Sequence, residues 1–149
     1  MTDNNGTEDQ LLAAIDLGSN SFHLMIAKSE FGELKPVHAL AEKVQLGETD
    51  ELGMLTVPAI ERGLACLERF KQLIDSTSPD KIRIVGTNAL RRAKNRQAFI
   101  EPAEQIIDAP IEVIYGREEA RLIYLGVAHT LSDDANVRLV IDIGGGSTE

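Results

Sequence analysis

Two segments of the sequence share one pattern of residue types that suits the binding of phosphate. In Asp16–Ser21 (DLGSNS) and Asp142–Thr148 (DIGGGST), an apolar run ends in aspartate, and one apolar residue, glycine and small hydroxyl residues follow. Glycine lets the backbone turn tightly and approach a ligand closely, and successive N–H groups in such a turn bind anions. The expected phosphate contacts come from these two turns: Gly18, Ser19, Asn20 and Ser21 in the first, and Gly144, Gly145, Gly146 and Ser147 in the second. One such turn is weak evidence, but the repeated pattern favours a phosphate site, where the aspartates can hold a divalent cation directly or through water.

Two adjacent glutamates, Glu118 and Glu119, begin a segment with the apolar spacing of a helix. Acidic residues in the first turn of a helix are stabilised by its dipole by about 0.3–1 kcal/mol each, so a structural role explains both. A carboxylate that faces a phosphate cleft can instead orient and deprotonate a water molecule. The residues alone favour the structural role and leave the catalytic one open.

The segment Leu90–Arg96 (LRRAKNR) carries four cations in seven residues, although the formal net charge of the chain is −9. The negative overall charge argues against generic binding to nucleic acid or to an anionic membrane. Binding of a polyanion must therefore depend on a local positive patch of this kind. A solvated surface explains the same residues equally well.

Composition places the chain among ordinary soluble domains of 149 residues, with 43% hydrophobic and 26% charged residues. The single cysteine, Cys66, fits a reducing compartment and has no base near it in the sequence pattern. The three histidines, His23, His38 and His129, lack the spacing of a zinc site. No signal peptide and no apolar run long enough to span a membrane are present. We therefore expect a cytoplasmic protein, and peripheral association with a membrane is left open.

Hydrophobic periodicity predicts one α/β domain that follows a disordered leader, residues 1–10. The predicted order is βββαβαβαβ, in which three antiparallel strands precede parallel strands joined by helices. The predicted strands are 11–16, 21–29, 33–47, 82–86, 111–116 and 137–144, and the predicted helices are 56–76 with Thr56 as N-cap, 87–95, 95–109 with Asn95 as N-cap, and 117–131.

Four segments, taken in order, resemble the exopolyphosphatase and guanosine pentaphosphate phosphohydrolase (Ppx/GppA) family. These are AAIDLGSNSFHLMIA, VGTNALRRAKN, IYGREEARLIYLGVAHT and LVIDIGGGSTE, and the resemblance extends from about Leu11 to Glu149. The two turns together are similar to those of the actin and sugar-kinase superfamily, which hold a phosphate chain from opposite sides. The resemblance implies an actin-like ATPase (ribonuclease H-like) domain with a mixed five-stranded sheet that has three antiparallel N-terminal strands. It also implies a β-turn-β at the second glycine turn rather than the start of a helix.

The resemblance also implies roles for individual residues. Glu119 matches the family's proposed catalytic base, whose pKa like-charged neighbours would raise, and Arg91 matches the arginine that binds phosphate oxygens. Asp142 and Glu149 match the proposed Mg²⁺ site, to which Asp16 contributes through water. Glu118 is left as structural, and Arg92, Lys94 and Arg96 as groups that shape the local field.

The function expected from the resemblance is Mg²⁺-dependent release of orthophosphate from the end of inorganic polyphosphate. Guanosine pentaphosphate is an alternative substrate, and a non-catalytic, actin-like nucleotide-binding domain is an alternative of another class. Residues 11–149 then form the first of two such domains and stop within the second phosphate turn, so we expect the chain alone to be inactive. The complete protein is expected to form a homodimer.

Overall fold

The computed structural model describes residues 9–131 and 137–149. Five strands form one mixed sheet in the order β3-β2-β1-β4-β5, with the three N-terminal strands antiparallel and β4 and β5 parallel to β1. The strands are β1 (Gln10–Leu17), β2 (Ser21–Glu30), β3 (Glu33–Lys43), β4 (Lys81–Gly86) and β5 (Ile111–Val113). The predicted mixed five-stranded sheet with three antiparallel N-terminal strands is therefore confirmed.

Four helices connect or follow these strands: α1 (Val57–Thr77), α2 (Asn88–Arg92), α3 (Gln97–Ile107) and α4 (Gly116–Thr130). The predicted N-cap of α1 is confirmed, because Thr56 Oγ1 accepts a hydrogen bond from the N–H of Ala59 at 3.3 Å. In the described residues, no helix has the length and apolar character that a membrane span requires.

The core lies between one face of the sheet and the helices α1 and α3. Alternate residues of β1 and β2, among them Ile15 and Leu24, point into this layer and are fully buried, as expected for a strand with one covered face. Gly63 of α1 lets the two helices approach, since a Cβ there would lie 2.6 Å from the ring of Phe99 on α3. Helix α4 differs from α1 and α3, because none of its residues is buried.

Two predicted strands are too long, since β3 ends at Lys43 rather than at residue 47 and β5 at Val113 rather than at residue 116. Three further details of the sequence prediction are wrong. Residues 137–144 form no strand of the sheet: Leu139 is 82% exposed, and no neighbouring strand in the described residues pairs with it. Asn95 does not cap α3, because its side chain instead exchanges two hydrogen bonds with the backbone of Leu55. The predicted disordered leader, residues 1–10, is too long, since Gln10 belongs to β1; residues 1–8 lie outside the described residues.

Candidate active site

The first glycine turn joins β1 to β2 and is tied to the chain that follows β3. The carbonyl of Asn20 accepts hydrogen bonds from the N–H groups of Val44 and Gln45 at 2.9 and 2.8 Å, and the carbonyl of Ser19 accepts one from Gly47 at 2.9 Å. Because both flanking strands are interior strands of the sheet, the turn has a defined position at their end. The N–H groups and hydroxyls of this turn are thereby held at one end of the sheet.

The second glycine turn forms the predicted β-turn-β arrangement instead of beginning a helix. Asp142 and Glu149 exchange two backbone hydrogen bonds of 2.9 and 3.0 Å, and the N–H of Gly144 donates to the carbonyl of Ser147 at 2.9 Å. Ile143 and Thr148 form an isolated antiparallel bridge.

The two turns touch each other, and two glycines make this contact possible. A Cβ on Gly145 would lie 2.8 Å from the Cβ of Asn20. A Cβ on Gly146 would lie 3.1 Å from Oγ of Ser19 and 2.3 Å from Nδ2 of Asn88 on α2. Side chains at these positions would push the turns apart. The glycines therefore serve the close approach of one turn to the other as well as the approach of a ligand.

A cavity of about 330 Å³ lies where the turns meet. Most of the residues that the sequence singled out line this cavity: both turns, the two aspartates that precede them, and Glu119. These residues are Asp16, Gly18, Ser19, Asn20, Ser21, Glu119, Asp142, Gly144, Gly145, Gly146 and Ser147. Arg91 and Glu149 are not part of its lining. Instead, Arg91 pairs with Glu119, which does line the cavity, and Glu149 lies 3.6 Å from Nη2 of Arg91.

Glu119 is held in place by Arg91. Nη1 of Arg91 donates to Glu119 Oε2 at 2.9 Å and to the carbonyl of Ile114 at 2.8 Å, and Nη2 lies 3.6 Å from Oε1 of Glu149. The Glu119 side chain is only 12% exposed. Burial raises the pKa of Glu119 above its ordinary value, the hydrogen bond from Arg91 opposes this shift, and the nearby charge of Glu149 adds to it. Burial, rather than the like-charged neighbours predicted from the sequence, is thus the main cause.

Three carboxylates converge next to the second turn. Oxygen atoms of Glu119, Asp142 and Glu149 all lie within 4.8 Å of one another. Ser147 Oγ donates to Glu149 Oε2 at 3.1 Å, which helps to orient this group. Carboxylate oxygens are the ligands that hard divalent cations such as Mg²⁺ prefer. The donor set therefore fits the Mg²⁺ that the sequence led us to expect.

Asp16 lies at the end of β1, directly opposite His23 of β2 in the sheet register. Asp16 is exposed to solvent, but the protein atoms around its carboxyl raise its pKa, the proximity of His23 lowers the pKa, and the charge of Asp142 raises it again. The two aspartates that precede the glycine turns are therefore close enough to repel each other. A cation between them would relieve this repulsion.

Sequence reasoning missed three residues that line the cavity: His23, Thr87 and Asn88. A signal for His23 existed, since Asp16 and His23 are equally far from the centre of the first turn and a hairpin places such residues opposite each other. Thr87 and Asn88 follow β4, which runs parallel to β1. The carboxyl ends of parallel strands share one edge, where ligands of α/β sheets bind.

The other charged residues of the segments 90–96 and 118–119 lie in different environments. Glu118 pairs with Arg121 on the surface of α4, with N–O distances of 2.8 and 2.7 Å, as its structural role predicts. Arg92 and Lys94 line a second cavity beside the first, and Arg96 lines neither.

Comparison with known proteins agrees with this geometry. Residues 25–149 match the model of the Ppx/GppA phosphatase family. Among solved structures, the chain is 37% identical to the Ppx/GppA enzyme of Aquifex aeolicus over 94% of its own length and 47% of that chain, with a TM-score of 0.84. It is 31% identical to an exopolyphosphatase from Cytophaga hutchinsonii over 93% of its length and 45% of that chain, with a TM-score of 0.88. An exopolyphosphatase-like protein matches at 34% identity over 95% of this chain and 44% of its own, with a TM-score of 0.89.

The present chain thus spans less than half the length of each of these three structures. Within that span the sheet order, both glycine turns and the helix that carries Glu119 belong to one domain of the predicted class. The family model covers most of the chain, and the solved structures cover nearly all of it. On this evidence, the chain belongs to the Ppx/GppA phosphatase family.

Proposed function

We propose that this chain carries the catalytic half of an exopolyphosphatase, which releases orthophosphate from the end of inorganic polyphosphate. One observation carries the proposal: the Glu119 carboxylate and both glycine turns line the same cavity of about 330 Å³. The turns supply N–H and hydroxyl donors for phosphate oxygens, and Glu119 supplies a base within the same space. Phosphoryl transfer depends chiefly on such positioning and on electrostatic stabilisation of the transferred group.

In the proposed reaction the terminal phosphate lies in the cavity that both turns and Glu119 line. Glu119 accepts a proton from a water molecule, and the water oxygen forms a bond to the terminal phosphorus. The bond between this phosphorus and the bridging oxygen breaks, and its electron pair stays on that oxygen as the end of the shortened chain. The products are orthophosphate and a polyphosphate with one phosphate fewer.

The surroundings of Glu119 suit the role of a base. A raised pKa makes the carboxylate a stronger proton acceptor than an ordinary glutamate. The hydrogen bond from Arg91, 2.9 Å long, keeps one carboxylate oxygen fixed and leaves the other for the water molecule. Arg91 remains the proposed ligand of a phosphate oxygen, since both of its side-chain hydrogen bonds in the described residues use Nη1 and Nη2 lies 3.6 Å from Glu149 Oε1, so N–H groups are left to donate.

Asp142 and Glu149 are the proposed ligands of Mg²⁺, with Asp16 acting through water. Their carboxylates lie beside Glu119, so a cation held there would also face the phosphate that the turns bind. When bound, Mg²⁺ would neutralise negative charge on the substrate oxygens.

The sharpest test compares Glu119→Gln with Glu118→Gln in the protein extended to the length of its relatives. Glutamine keeps the size and hydrogen bonding of Glu119 but accepts no proton, so kcat for polyphosphate should fall by about 10²–10⁴-fold. KM should change little, because other groups bind the phosphates. Glu118→Gln removes the same charge from the neighbouring, exposed position and should keep the parental rate.

Phosphate release and circular dichroism together decide the outcome. Near-parental turnover by folded Glu119→Gln would refute the mechanism. Release of phosphate from guanosine pentaphosphate but not from polyphosphate would change the substrate and keep the mechanism. Binding of ATP with no phosphate release from either substrate would identify a non-catalytic nucleotide-binding domain.

A further inference from the structure

A second cavity, of about 790 Å³, adjoins the active-site cavity. The two cavities share five lining residues, which lie at the tips of the two glycine turns and on α2: Ser19, Asn20, Asn88, Gly145 and Gly146. A ligand whose end lies beside Glu119 can therefore continue past these tips into the larger cavity. The protein thus provides room on the far side of the phosphate turns.

Two cations, Arg92 and Lys94, line this second cavity. Within residues 9–131 and 137–149, no carboxylate lies within ion-pair distance of either, whereas Arg91, the residue before Arg92, pairs with Glu119. Uncompensated cations are notable in a chain whose net charge is −9, since acidic partners are abundant. Their position beside two turns that are suited to binding anions indicates that a bound anion balances their charge.

The carboxylates of the same cavity weaken this field only in part. Glu48 and Glu51 also line it, but Glu48 Oε2 accepts a hydrogen bond from Arg62 at 2.7 Å, which compensates its charge. Glu51 is exposed and has no ion pair in the described part of the chain. Two unpaired cations thus face one unpaired carboxylate.

We propose that the larger cavity binds the phosphates that follow the terminal one, and that Arg92 and Lys94 contact their oxygens. The ligand class is a condensed phosphate, in which anionic groups repeat along a chain and so reach both cavities at once. Asn88 lies at the junction, with an amide that has no side-chain hydrogen bond among the described residues, and it donates to the phosphate that passes the turns. This assignment rests on the proposed function, because it places the leaving phosphates opposite Glu119.

The test compares two double variants in the protein extended to the length of its relatives. Arg92→Gln/Lys94→Gln removes both cavity cations, and Lys81→Gln/Arg96→Gln removes two exposed cations that line neither cavity. With long-chain polyphosphate, KM of the cavity variant should rise about tenfold, as expected for loss of charge-assisted hydrogen bonds. Its kcat should stay near the parental value, because the groups around Glu119 are untouched. Pyrophosphate, which extends little beyond the terminal site, should show a much smaller change.

A variant that removes a negative charge from the same cavity sharpens the test. Glu51→Gln removes the unpaired carboxylate of the cavity, so KM for polyphosphate should fall, by less than about threefold for an exposed group. Equal KM values for the cavity variant and its control would overturn the proposal, as would an equal loss with pyrophosphate. A loss confined to guanosine pentaphosphate would overturn the inorganic chain as the occupant.

Failure of the proposed function is separable from failure of this site. If the parent releases no phosphate but binds polyphosphate more tightly in calorimetry than Arg92→Gln/Lys94→Gln does, the second site is supported and the exopolyphosphatase activity is refuted. If the parent releases phosphate and all variants bind polyphosphate equally, the activity stands and the second site is refuted.

Discussion

The two glycine turns of the active site have similar sequences but are supported differently. In the first turn, the residue after the aspartate is Leu17, which is completely buried between the sheet and its helices. In the second turn the corresponding residue is Ile143, which is 79% exposed, and its bridge to Thr148 is isolated. The motif therefore specifies a shape for binding phosphate, whereas the elements around it decide how firmly that shape is held.

The same contrast appears in the contacts beyond each turn. The first turn is fixed on both sides by paired strands and accepts three backbone hydrogen bonds from residues 44–47. The second turn depends on the pairing of Asp142 with Glu149 and on the contact of its glycines with Asn20 and Asn88. Binding of a ligand to both turns would therefore order the second turn more than the first.

The largest expected effect comes from shortening the matched apolar residues in the 149-residue chain. Leu17→Ala should lower the free energy of unfolding by about 2–5 kcal/mol, because it leaves a cavity in a closed core. Ile143→Ala should change it by no more than about 0.5 kcal/mol, since little of its side chain is buried. Denaturant titration followed by circular dichroism measures both values.

Equal losses for Leu17→Ala and Ile143→Ala would contradict the difference in support. Repeating the pair in the protein extended to the length of its relatives sharpens the comparison. A cost for Ile143→Ala that rises toward that of Leu17→Ala there would show that additional chain covers the second turn.

A smaller effect is expected from adding a methyl group at the matched glycines. A Cβ on Gly18 would lie 2.8 Å from the carbonyl oxygen of Ser21, whereas a Cβ on Gly144 would lie 3.3 Å from that of Ser147. Gly18→Ala must therefore distort a turn that is fixed to the sheet, at a cost of about 1–3 kcal/mol. Gly144→Ala needs only a slight shift of a more loosely held turn, so its midpoint of thermal unfolding should stay close to that of the parent. A larger drop for Gly144→Ala would show that the second turn is the more rigid one.

The smallest expected effect concerns Asp16, the aspartate before the first turn. Its pKa is raised in the folded protein, mainly by the protein atoms around it. The folded state therefore binds this proton more tightly than the unfolded state. The contribution of Asp16 to stability is greatest below the ordinary carboxyl pKa and is lost as the pH rises through the raised value. Ionised Asp16 thus destabilises the fold at neutral pH, but only slightly, since solvent screens the charge of an exposed residue.

Asp16→Asn should accordingly raise the thermal unfolding midpoint at pH 7, and the gain should disappear near pH 3, where a carboxyl group of ordinary pKa (about 3.9) is protonated in both states. Glu101→Gln, which removes one negative charge from an exposed position of α3, controls for the change in net charge. Unfolding curves across this pH range give the comparison. A midpoint for Asp16→Asn that stays at or below that of Glu101→Gln at pH 7 would contradict the electrostatic cost assigned to Asp16.

Local patterns in the sequence were sufficient for much of this molecule. The alternation of β1 and β2, the spacing of apolar residues in α1 and the Thr56 cap depend on neighbours within a few positions, so they can be read directly. The two glycine turns are equally local, and their repetition pointed to the residues that line the active-site cavity. Glu119 was singled out only with the help of family resemblance, because an acidic first turn is also an ordinary feature of helices.

Tertiary structure decided what depends on residues far apart in the chain. Arg91 holds a carboxylate 28 positions away, Asn95 bonds to Leu55 across 40 positions instead of capping a helix, and Asn88 reaches the tip of the second turn. Residues 137–144 have the composition of a strand, but a strand forms only where another offers its N–H and C=O groups. Sequence periodicity reports which side of an element is apolar; which partner meets it follows from the packing of the whole domain.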